Sequence, residues 1–188
     1  GASLLVLKDG EPVVRRGYGR SDLEAGVEAG PATDYRLASV SKQFTAASIL
    51  LLQEDGKLSI DDKVSRFFPD LSRANEITIR QLMSMTSGYQ DYWPQDYVMP
   101  GMKLPTTPRA ILDGWAKKPL DFEPGAKYQY SNTNYVILGQ IIEKASGTPV
   151  VDFLRRRIFV PLNLESIQIT DDGALGPTDP ERYERFGL

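Results

Sequence analysis

Ser39 and Lys42 form a Ser-x-x-Lys pair of a kind that can carry out covalent chemistry. They lie where an extended run, residues 34–38, gives way to an apolar, helical-looking run, residues 43–52. Positions three apart share one face of a helix, so the Lys42 ammonium can reach the Ser39 hydroxyl from the next turn. A serine on the first helical turn also lies at the positive end of the helix dipole, which favours an oxyanion formed there. The spacing therefore suits nucleophilic catalysis, in which a base takes the serine proton.

The tetrapeptide alone is weak evidence, because a Ser-x-x-Lys is expected about once by chance in a chain of this size. Two other serines, Ser41 and Ser131, lie near the sequence features of interest. Ser41 is expected to point away from the face that Ser39 and Lys42 share. We therefore assign neither Ser41 nor Ser131 as a nucleophile.

The composition removes much of the competing chemistry, because the chain has no histidine and no cysteine. Within these residues there is no Ser-His-Asp triad, no Cys-His dyad, no disulfide and no zinc site of thiolates or imidazoles. The base of a hydrolase built from this chain must be Lys, Tyr, Asp or Glu. No metal and no organic cofactor is implied.

The overall charge and hydropathy are those of an ordinary globular protein, with a net charge of -3, 25% charged and 41% hydrophobic residues. The slightly acidic balance does not favour nucleic acid as a partner. Three consecutive arginines, residues 155–157, fit a solvated helix face better than an anionic partner. The longest apolar runs are too short for a membrane span, and no targeting segment is recognised.

The chain is expected to open as an antiparallel hairpin, with strands at residues 3–7 and 12–18 around Asp9-Gly10. The first strand is almost continuously apolar, as in a strand covered on both faces. Residues 21–33 are expected to form a loop. The helix that starts at Ser39 is expected to run to residue 55, to end at Gly56 and to be central and buried.

Short capped helices are expected to follow. Thr78 is the expected N-cap of the second of them, and Thr107 with Pro108 marks the start of the third. Gly147 is expected to close the fourth. The predicted helical ranges are residues 63–68, 79–85, 109–117, 135–145 and 150–157.

Two further stretches are expected to be irregular. Residues 89–105 are rich in aromatic residues and proline, which fits either the wall of a substrate cleft or a loop that packs its own side chains. Residues 170–188 are polar and contain two prolines, which indicates a loop.

Three separated motifs occur in a characteristic order. Residues 35–46 surround Ser39, residues 82–88 read Leu-Met-Ser-Met-Thr-Ser-Gly, and Pro124-Gly125 is followed by Tyr-Ser-Asn-Thr-Asn-Tyr at residues 130–135. Together they resemble the serine β-lactamase-related superfamily, in particular class C β-lactamases, D-alanyl-D-alanine carboxypeptidases and family VIII esterases. The Ser-x-x-Lys element is also known from class A enzymes and penicillin-binding proteins. The resemblance covers residues 1–164.

This resemblance implies an α+β fold of the β-lactamase/penicillin-binding-protein type, with an antiparallel sheet lobe, an all-helical lobe and a cleft between them. Residues 1–58 would form part of the α/β lobe with the nucleophile helix, and residues 59–164 would form the helical lobe. Residues 165–188 would form an irregular tail.

The resemblance also implies roles for four residues. Ser39 would attack a carbonyl carbon, and Lys42 would lower the proton affinity of its hydroxyl. Tyr130 would act with Lys42 as the general base and then pass the proton to the leaving group. Asn132 would bind Lys42 and the substrate amide. Without the resemblance, Tyr130 would be one more packed tyrosine, and Asn132 would cap a helix or form a turn.

One element of the family pattern is missing from these residues. Family members carry a Lys-Thr-Gly or His-x-Gly motif on a later strand, whose backbone supplies half of the oxyanion hole. Lys8-Asp9-Gly10 has a similar pattern but lies in the predicted hairpin turn, so we reject it. Losing one oxyanion donor typically costs about 10²–10³ in rate.

The chain therefore corresponds to an incomplete domain that lacks the C-terminal strands. Two strands make a poor sheet with an unpaired apolar face, so we expect the sheet to be completed by a second chain or by residues outside this sequence, unless the protein is truncated.

The first functional hypothesis is a serine hydrolase that forms an acyl-enzyme on an amide, β-lactam or ester carbonyl of a small-molecule or peptide substrate. The alternative is a catalytically impaired penicillin-recognising or structural module that keeps the pocket. A third reading is a helical interaction domain with accidental motif matches. The compartment would be periplasmic or extracellular for a cell-wall substrate and cytoplasmic for an esterase.

Overall fold

The computed structural model describes residues 1–93, 105–164 and 166–167. They divide into two compact units, and the chain passes from the first to the second after Ser39. Most of the predicted aromatic loop and the whole of the predicted tail at 170–188 lie outside the described residues. The lobe boundary expected after residue 58 concerns the complete domain and stays a prediction.

The first unit opens with the predicted hairpin. Strand β1 (Ala2–Lys8) pairs antiparallel with β2 (Glu11–Tyr18). Asp9 and Gly10 form the turn with φ angles of 52° and 85°. Positive φ at both central positions is the requirement of the tight turn that matches the twist of paired strands. The hairpin prediction is confirmed.

A second, smaller hairpin lies in the stretch that we expected to be a loop. Strand β3 (Arg20–Asp22) pairs with β4 (Val27–Glu28). The Asp22 carboxylate accepts a hydrogen bond from the Ala25 amide at 2.8 Å, which closes the turn between them. The loop prediction was wrong here because a side-chain-closed turn gives little signal in the hydrophobic pattern.

The apolar side chains of β1 are not covered as the sequence predicted. Leu5 and Leu7 are 57% and 55% exposed. In the part of the chain that the structure describes, each sheet has two strands, so β1 has a partner on one edge. The expectation of a strand covered on both faces is therefore not met by the described residues, whereas the unpaired apolar face expected of a two-stranded sheet is present.

The second unit is helical. Its α-helices are α1 (Lys42–Glu54), α2 (Ile79–Met83), α3 (Pro108–Ile111), α4 (Asn132–Ser146) and α5 (Val150–Leu154). A 3₁₀ turn, Val64–Arg66, lies between α1 and α2, and wider π turns, Leu112–Ala116 and Arg155–Phe159, extend α3 and α5. Within the described ranges, no helix is both long and apolar enough to cross a bilayer.

Helix α1 begins slightly later than predicted, because a 3₁₀ turn, Ala38–Ser41, precedes it. Ser39 therefore lies in the 3₁₀ turn and Lys42 is the first α-helical residue. The helix ends before Gly56, which has a φ of 68°, as expected. The prediction that the helix is buried is confirmed for Ile49 and Leu52. It is wrong for Leu50, which is 43% exposed.

One apolar cluster holds the helical unit together. It combines residues of α1, α2 and α4 with side chains of the connecting turns. Its fully buried members include Ile49, Leu52, Ile79, Leu82, Ile137, Leu138, Ile141 and Ile142.

The predicted caps of α2 and α3 are confirmed. The Thr78 hydroxyl accepts from the Gln81 amide while the Gln81 side chain accepts from the Thr78 amide, which is a complete capping box. Thr107 accepts from the Ala110 amide at 3.2 Å, and Pro108 fills the first helical position.

Helix α4 begins three residues before the predicted start at Tyr135. Its first residues, Asn132, Thr133 and Asn134, have side chains that usually favour turns because they compete for backbone hydrogen bonds. Here these side chains bind another segment, so they do not compete with the helix. The end of α4 at Gly147, with a φ of 72°, agrees with the prediction.

We predict that Gly88→Ala destabilises the protein more than Gly147→Ala. Both glycines have positive φ angles, of 88° and 72°, which cost an alanine about 1 kcal/mol or more. A Cβ at Gly88 would also lie 2.4 Å from the Phe122 carbonyl oxygen, whereas a Cβ at Gly147 would meet open space. Urea unfolding should show a loss of about 2 kcal/mol or more for Gly88→Ala and of about 1 kcal/mol for Gly147→Ala. Equal losses would contradict the crowding at Gly88.

Candidate active site

A direct hydrogen bond joins two of the predicted site residues. The Lys42 Nζ donates to the Asn132 Oδ1 at 2.7 Å. Each residue is the first of its helix, Lys42 in α1 and Asn132 in α4. Both side chains are half-buried, so this charge-assisted bond is only partly screened by water.

Tyr130 joins the same acceptor. Its hydroxyl donates to the Asn132 Oδ1 at 3.3 Å. The Lys42 Nζ also lies 5.0 Å from the centroid of the Tyr130 ring, within cation–π range. The structure thus brings Lys42, Tyr130 and Asn132 together around one amide oxygen.

A second tyrosine, Tyr135, lines the same cluster and was not identified from the sequence. The Lys42 Nζ lies 5.6 Å from its ring centroid. Its hydroxyl is directed elsewhere and donates to the Met83 carbonyl at 3.2 Å. Burial, together with Tyr130, raises the pKa of Tyr135, so this phenol stays protonated at neutral pH. Its position three residues after Asn132, on the same helix face, is the signal that could have revealed it.

Ser39 is exposed and lies in the 3₁₀ turn directly before α1. It is the last residue of the first compact unit before the chain enters the second. The preceding residue, Ala38, has a φ of 45°, which is unusual for a residue with a Cβ. Such a conformation costs about 1–3 kcal/mol and is found most often at functional sites.

Ser131, between Tyr130 and Asn132, is fully buried. Its Oγ has no hydrogen-bond partner among the described residues. A fully buried hydroxyl is not accessible to a substrate carbonyl, so Ser131 stays outside the proposed catalytic set.

The segment of residues 85–93 is bound to the first turn of α4. The Asp91 Oδ1 accepts from the Asn132 backbone amide at 2.9 Å, and the Asp91 Oδ2 accepts from the Asn132 Nδ2 at 3.2 Å. The Thr133 hydroxyl donates to the Gln90 carbonyl at 2.7 Å and accepts from the Tyr92 amide at 3.1 Å. Three successive residues of this segment, 90–92, are thus each bound to the first turn of α4.

The Thr-Ser-Gly motif completes the same attachment. The Ser87 hydroxyl donates to the Asn134 Oδ1 at 2.5 Å and accepts from the Tyr89 amide at 3.1 Å. The Asn134 Nδ2 in turn contacts the Met85 sulfur at 3.4 Å. Ser87 and Asn134 are buried, so these bonds satisfy groups that would otherwise be costly.

Tyr92 lies at the edge of the cluster. Burial, with smaller contributions from the charge of Asp91 and from Tyr130, raises the pKa of the Tyr92 phenol. Tyr92 and Tyr135 therefore both remain neutral beside Tyr130.

No metal centre is evident in residues 1–93, 105–164 and 166–167, since these ranges contain no group of three or more carboxylates, histidines or cysteines able to hold an ion. The candidate site is formed by Lys42 and Tyr130, which both bind the side-chain oxygen of Asn132.

The family model Beta-lactamase matches residues 1–186. Protein flp of Staphylococcus aureus (strain MRSA252) is 33% identical over 194 residues, which cover 100% of this chain and 38% of that protein. Penicillin-binding protein 4* of Bacillus subtilis (strain 168) is 33% identical over 186 residues, which cover 98% of this chain and 40% of that protein.

The chain is also similar to a solved structure. D-amino acid amidase from Ochrobactrum anthropi SV3, complexed with L-phenylalanine amide, is 32% identical with a TM-score of 0.73, over 86% of this chain and 45% of that one. The chain spans 38% and 40% of the length of the two curated relatives. It belongs to the Beta-lactamase family and has part of the β-lactamase/penicillin-binding-protein fold.

Proposed function

We propose that this protein is a serine hydrolase that forms an acyl-enzyme through Ser39. The observation that carries the proposal is the shared oxygen of Asn132, which accepts from the Lys42 ammonium and from the Tyr130 hydroxyl. A lysine and a tyrosine held together in this way form a pair that can exchange a proton with a nearby hydroxyl. Family membership supports acyl-transfer chemistry in general.

The helical backbone before α1 supports Ser39 as the nucleophile. Ala38–Ser41 and α1 follow one another without a break, so Ser39 precedes Lys42 by three residues on continuous helical backbone. Side chains at that spacing share one face. Ser41 lies on a different face and is not assigned.

The first half of the reaction forms an ester. The Ser39 Oγ attacks the substrate carbonyl carbon, and the Tyr130–Lys42 pair takes the hydroxyl proton. The tetrahedral intermediate then collapses, the bond to the leaving group breaks, and the same pair returns the proton to the leaving nitrogen or oxygen. A phenol has an ordinary pKa near 10 and is a base at neutral pH only beside a cation, and Lys42 supplies that cation.

The second half consumes water. The Tyr130–Lys42 pair takes a proton from water, whose oxygen attacks the ester carbonyl. Collapse of this intermediate returns the proton to the Ser39 oxygen and releases a carboxylic acid. Asn132 serves both halves, because its Oδ1 holds the proton-transfer pair while its amide nitrogen has two hydrogens. One of them binds Asp91, and we assign the other to the substrate carbonyl.

We favour amide and β-lactam carbonyls as substrates. Two similar proteins support this choice, one named a penicillin-binding protein and the other a D-amino acid amidase. Carboxypeptidase and esterase activities share the same residues and are distinguished by assay.

A second candidate is a penicillin-recognising module that is acylated but turns over slowly. It is favoured by the similarity to penicillin-binding protein 4* of Bacillus subtilis, a protein that is named for binding penicillin.

We predict that a fluorescent penicillin or a p-nitrophenyl ester adds one acyl group to the protein and that Ser39→Ala abolishes the adduct. Intact-protein mass spectrometry measures the adduct, and Ser41→Ala is the matched control that should keep it. Decay of the adduct over time indicates a hydrolase, and a persistent adduct indicates the penicillin-recognising module. An adduct that survives in Ser39→Ala would overturn the assignment of the nucleophile.

We also predict that Tyr130→Phe and Tyr135→Phe differ in their effects. Tyr130→Phe removes a hydroxyl of the proton-transfer pair and should slow acylation by about 10²–10⁴. Tyr135→Phe removes a bond to the Met83 carbonyl and should cost about 1 kcal/mol of stability with less than about a tenfold change in rate. Stopped-flow acylation and thermal unfolding separate the two effects. Similar rate losses for both variants would contradict the assignment of Tyr130.

A further inference from the structure

The Asn132 side chain must have a defined orientation for the cluster to work. Its oxygen accepts from the Lys42 ammonium and from the Tyr130 hydroxyl. If the amide were rotated by 180°, its NH₂ group would face the ammonium, and two donors would oppose each other. Lys42 and Tyr130 thus favour the oxygen on their side of the amide. A carbonyl or carboxylate acceptor at the amide nitrogen would fix the same orientation from the other side.

Asp91 holds it. The Asp91 Oδ2 accepts from the Asn132 Nδ2 at 3.2 Å, while the Asp91 Oδ1 accepts from the Asn132 backbone amide at 2.9 Å. An ionised carboxylate accepts hydrogen bonds but cannot donate them, so it selects the NH₂ end of the amide. Binding the backbone and the side chain of one residue also fixes the direction in which that side chain leaves the helix.

The same carboxylate supplies a cap that α4 otherwise lacks. Ser131, at the N-cap position, makes no side-chain cap bond. Asp91 instead binds a free backbone amide of the first turn from another part of the chain, where its negative charge also favours the helix dipole.

Asp91 is itself held in place by its neighbours. Its Oδ1 accepts from the Trp93 backbone amide at 3.1 Å. On either side of it, the Gln90 carbonyl and the Tyr92 amide bind the Thr133 hydroxyl. The carboxylate therefore approaches Asn132 from a backbone that is attached to α4 independently.

We propose that Asp91 is a positioning residue that orients the Asn132 amide so that its oxygen, and not its nitrogen, faces Lys42 and Tyr130. This inference rests on the proposed function, because the orientation matters through the proton-transfer pair. Asp91 acts through Asn132 and is not itself assigned a contact with substrate.

The direct test is Asp91→Asn. An asparagine at this position still accepts from the Asn132 backbone amide, but its NH₂ group opposes the NH₂ group of Asn132 and drives that amide to rotate. We expect acylation by a fluorescent penicillin to slow by about 10–10² with a small change in melting temperature, since misplaced catalytic groups lose rate on this scale. Acylation at the rate of the unmodified protein would overturn the proposal.

A double exchange tests the mechanism of the effect. In Asp91→Asn/Asn132→Asp, the new asparagine donates to one oxygen of the new aspartate, and the other oxygen still accepts from Lys42. The double variant should acylate faster than Asn132→Asp alone, in which two carboxylates oppose each other, although it still lacks the amide hydrogen that we assign to the substrate. Simple structural damage would instead accumulate in the double variant. If Asp91→Asn fails to fold, the exchange still decides the matter, because a double variant no faster than Asn132→Asp would contradict the proposal.

Asp121→Asn is the matched control. Asp121 accepts from the side-chain amide of Gln129, so this variant also removes a carboxylate–amide pair, at the residue before Tyr130. It makes no bond to Asn132, and we expect less than about a threefold change in acylation rate. A loss of rate equal to that of Asp91→Asn would mean that removing any carboxylate–amide pair near Tyr130 slows acylation, which contradicts a specific role for Asp91.

A measurement without substrate separates this inference from the proposed function. The side-chain NH₂ signals of Asn132, assigned by their loss in Asn132→Asp, should show slow hydrogen exchange that becomes fast in Asp91→Asn. If the unmodified protein is never acylated, the proposed function fails, and this signal still tests the orientation. Unchanged exchange in Asp91→Asn would overturn the positioning role whether or not the protein is acylated.

Discussion

The contact between Lys42 and Asn132 depends on the packing of α1 against α4. Both residues lie at the first turn of their helices, and apolar side chains further along, such as Ile49 and Ile137, belong to one buried cluster. Burial of each such side chain contributes about 1.5–3 kcal/mol, whereas a hydrogen bond contributes about 1 kcal/mol net, or up to about 3 kcal/mol when charged. The apolar packing therefore sets the distance between the helices, and at that distance the Lys42 ammonium reaches the Asn132 oxygen.

The attachment of residues 85–93 adds a second constraint. Three successive residues at the start of α4 bind three points of that segment through buried or half-buried hydrogen bonds. Because buried polar groups must be satisfied, a shift of the segment would leave several donors and acceptors without partners at once. This makes the position of Asp91 depend on the Thr-Ser-Gly motif, although neither is predicted to touch substrate.

Features with local causes were predictable from the sequence. The Asp9-Gly10 turn, the Thr78 capping box and the end of α4 at Gly147 each follow from side-chain or backbone preferences within a few residues. Lys42 and Asn132 were predicted to bind each other through the resemblance, and the structure shows that bond.

Features that depend on distant partners were not predictable in this way. The start of α4 was misplaced because Thr133 and Asn134 bind residues more than 40 positions away instead of their own backbone. Asp91 was overlooked for the same reason, since its partner is 41 residues distant. The apolar pattern of β1 predicts a strand covered on both faces, as in a larger sheet. Among the described residues, β1 has one neighbouring strand, β2.

Ser39 is proposed as the residue that becomes acylated, and peptide mapping identifies the acylated residue. After labelling with a penicillin and digestion with trypsin, the modified peptide should be residues 37–42, Leu-Ala-Ser-Val-Ser-Lys. Fragmentation of this peptide distinguishes its two serines, and we expect the label on Ser39. A label on Ser41, on Ser131 or in another peptide would contradict the assignment of the nucleophile, as would the absence of any label from the folded protein.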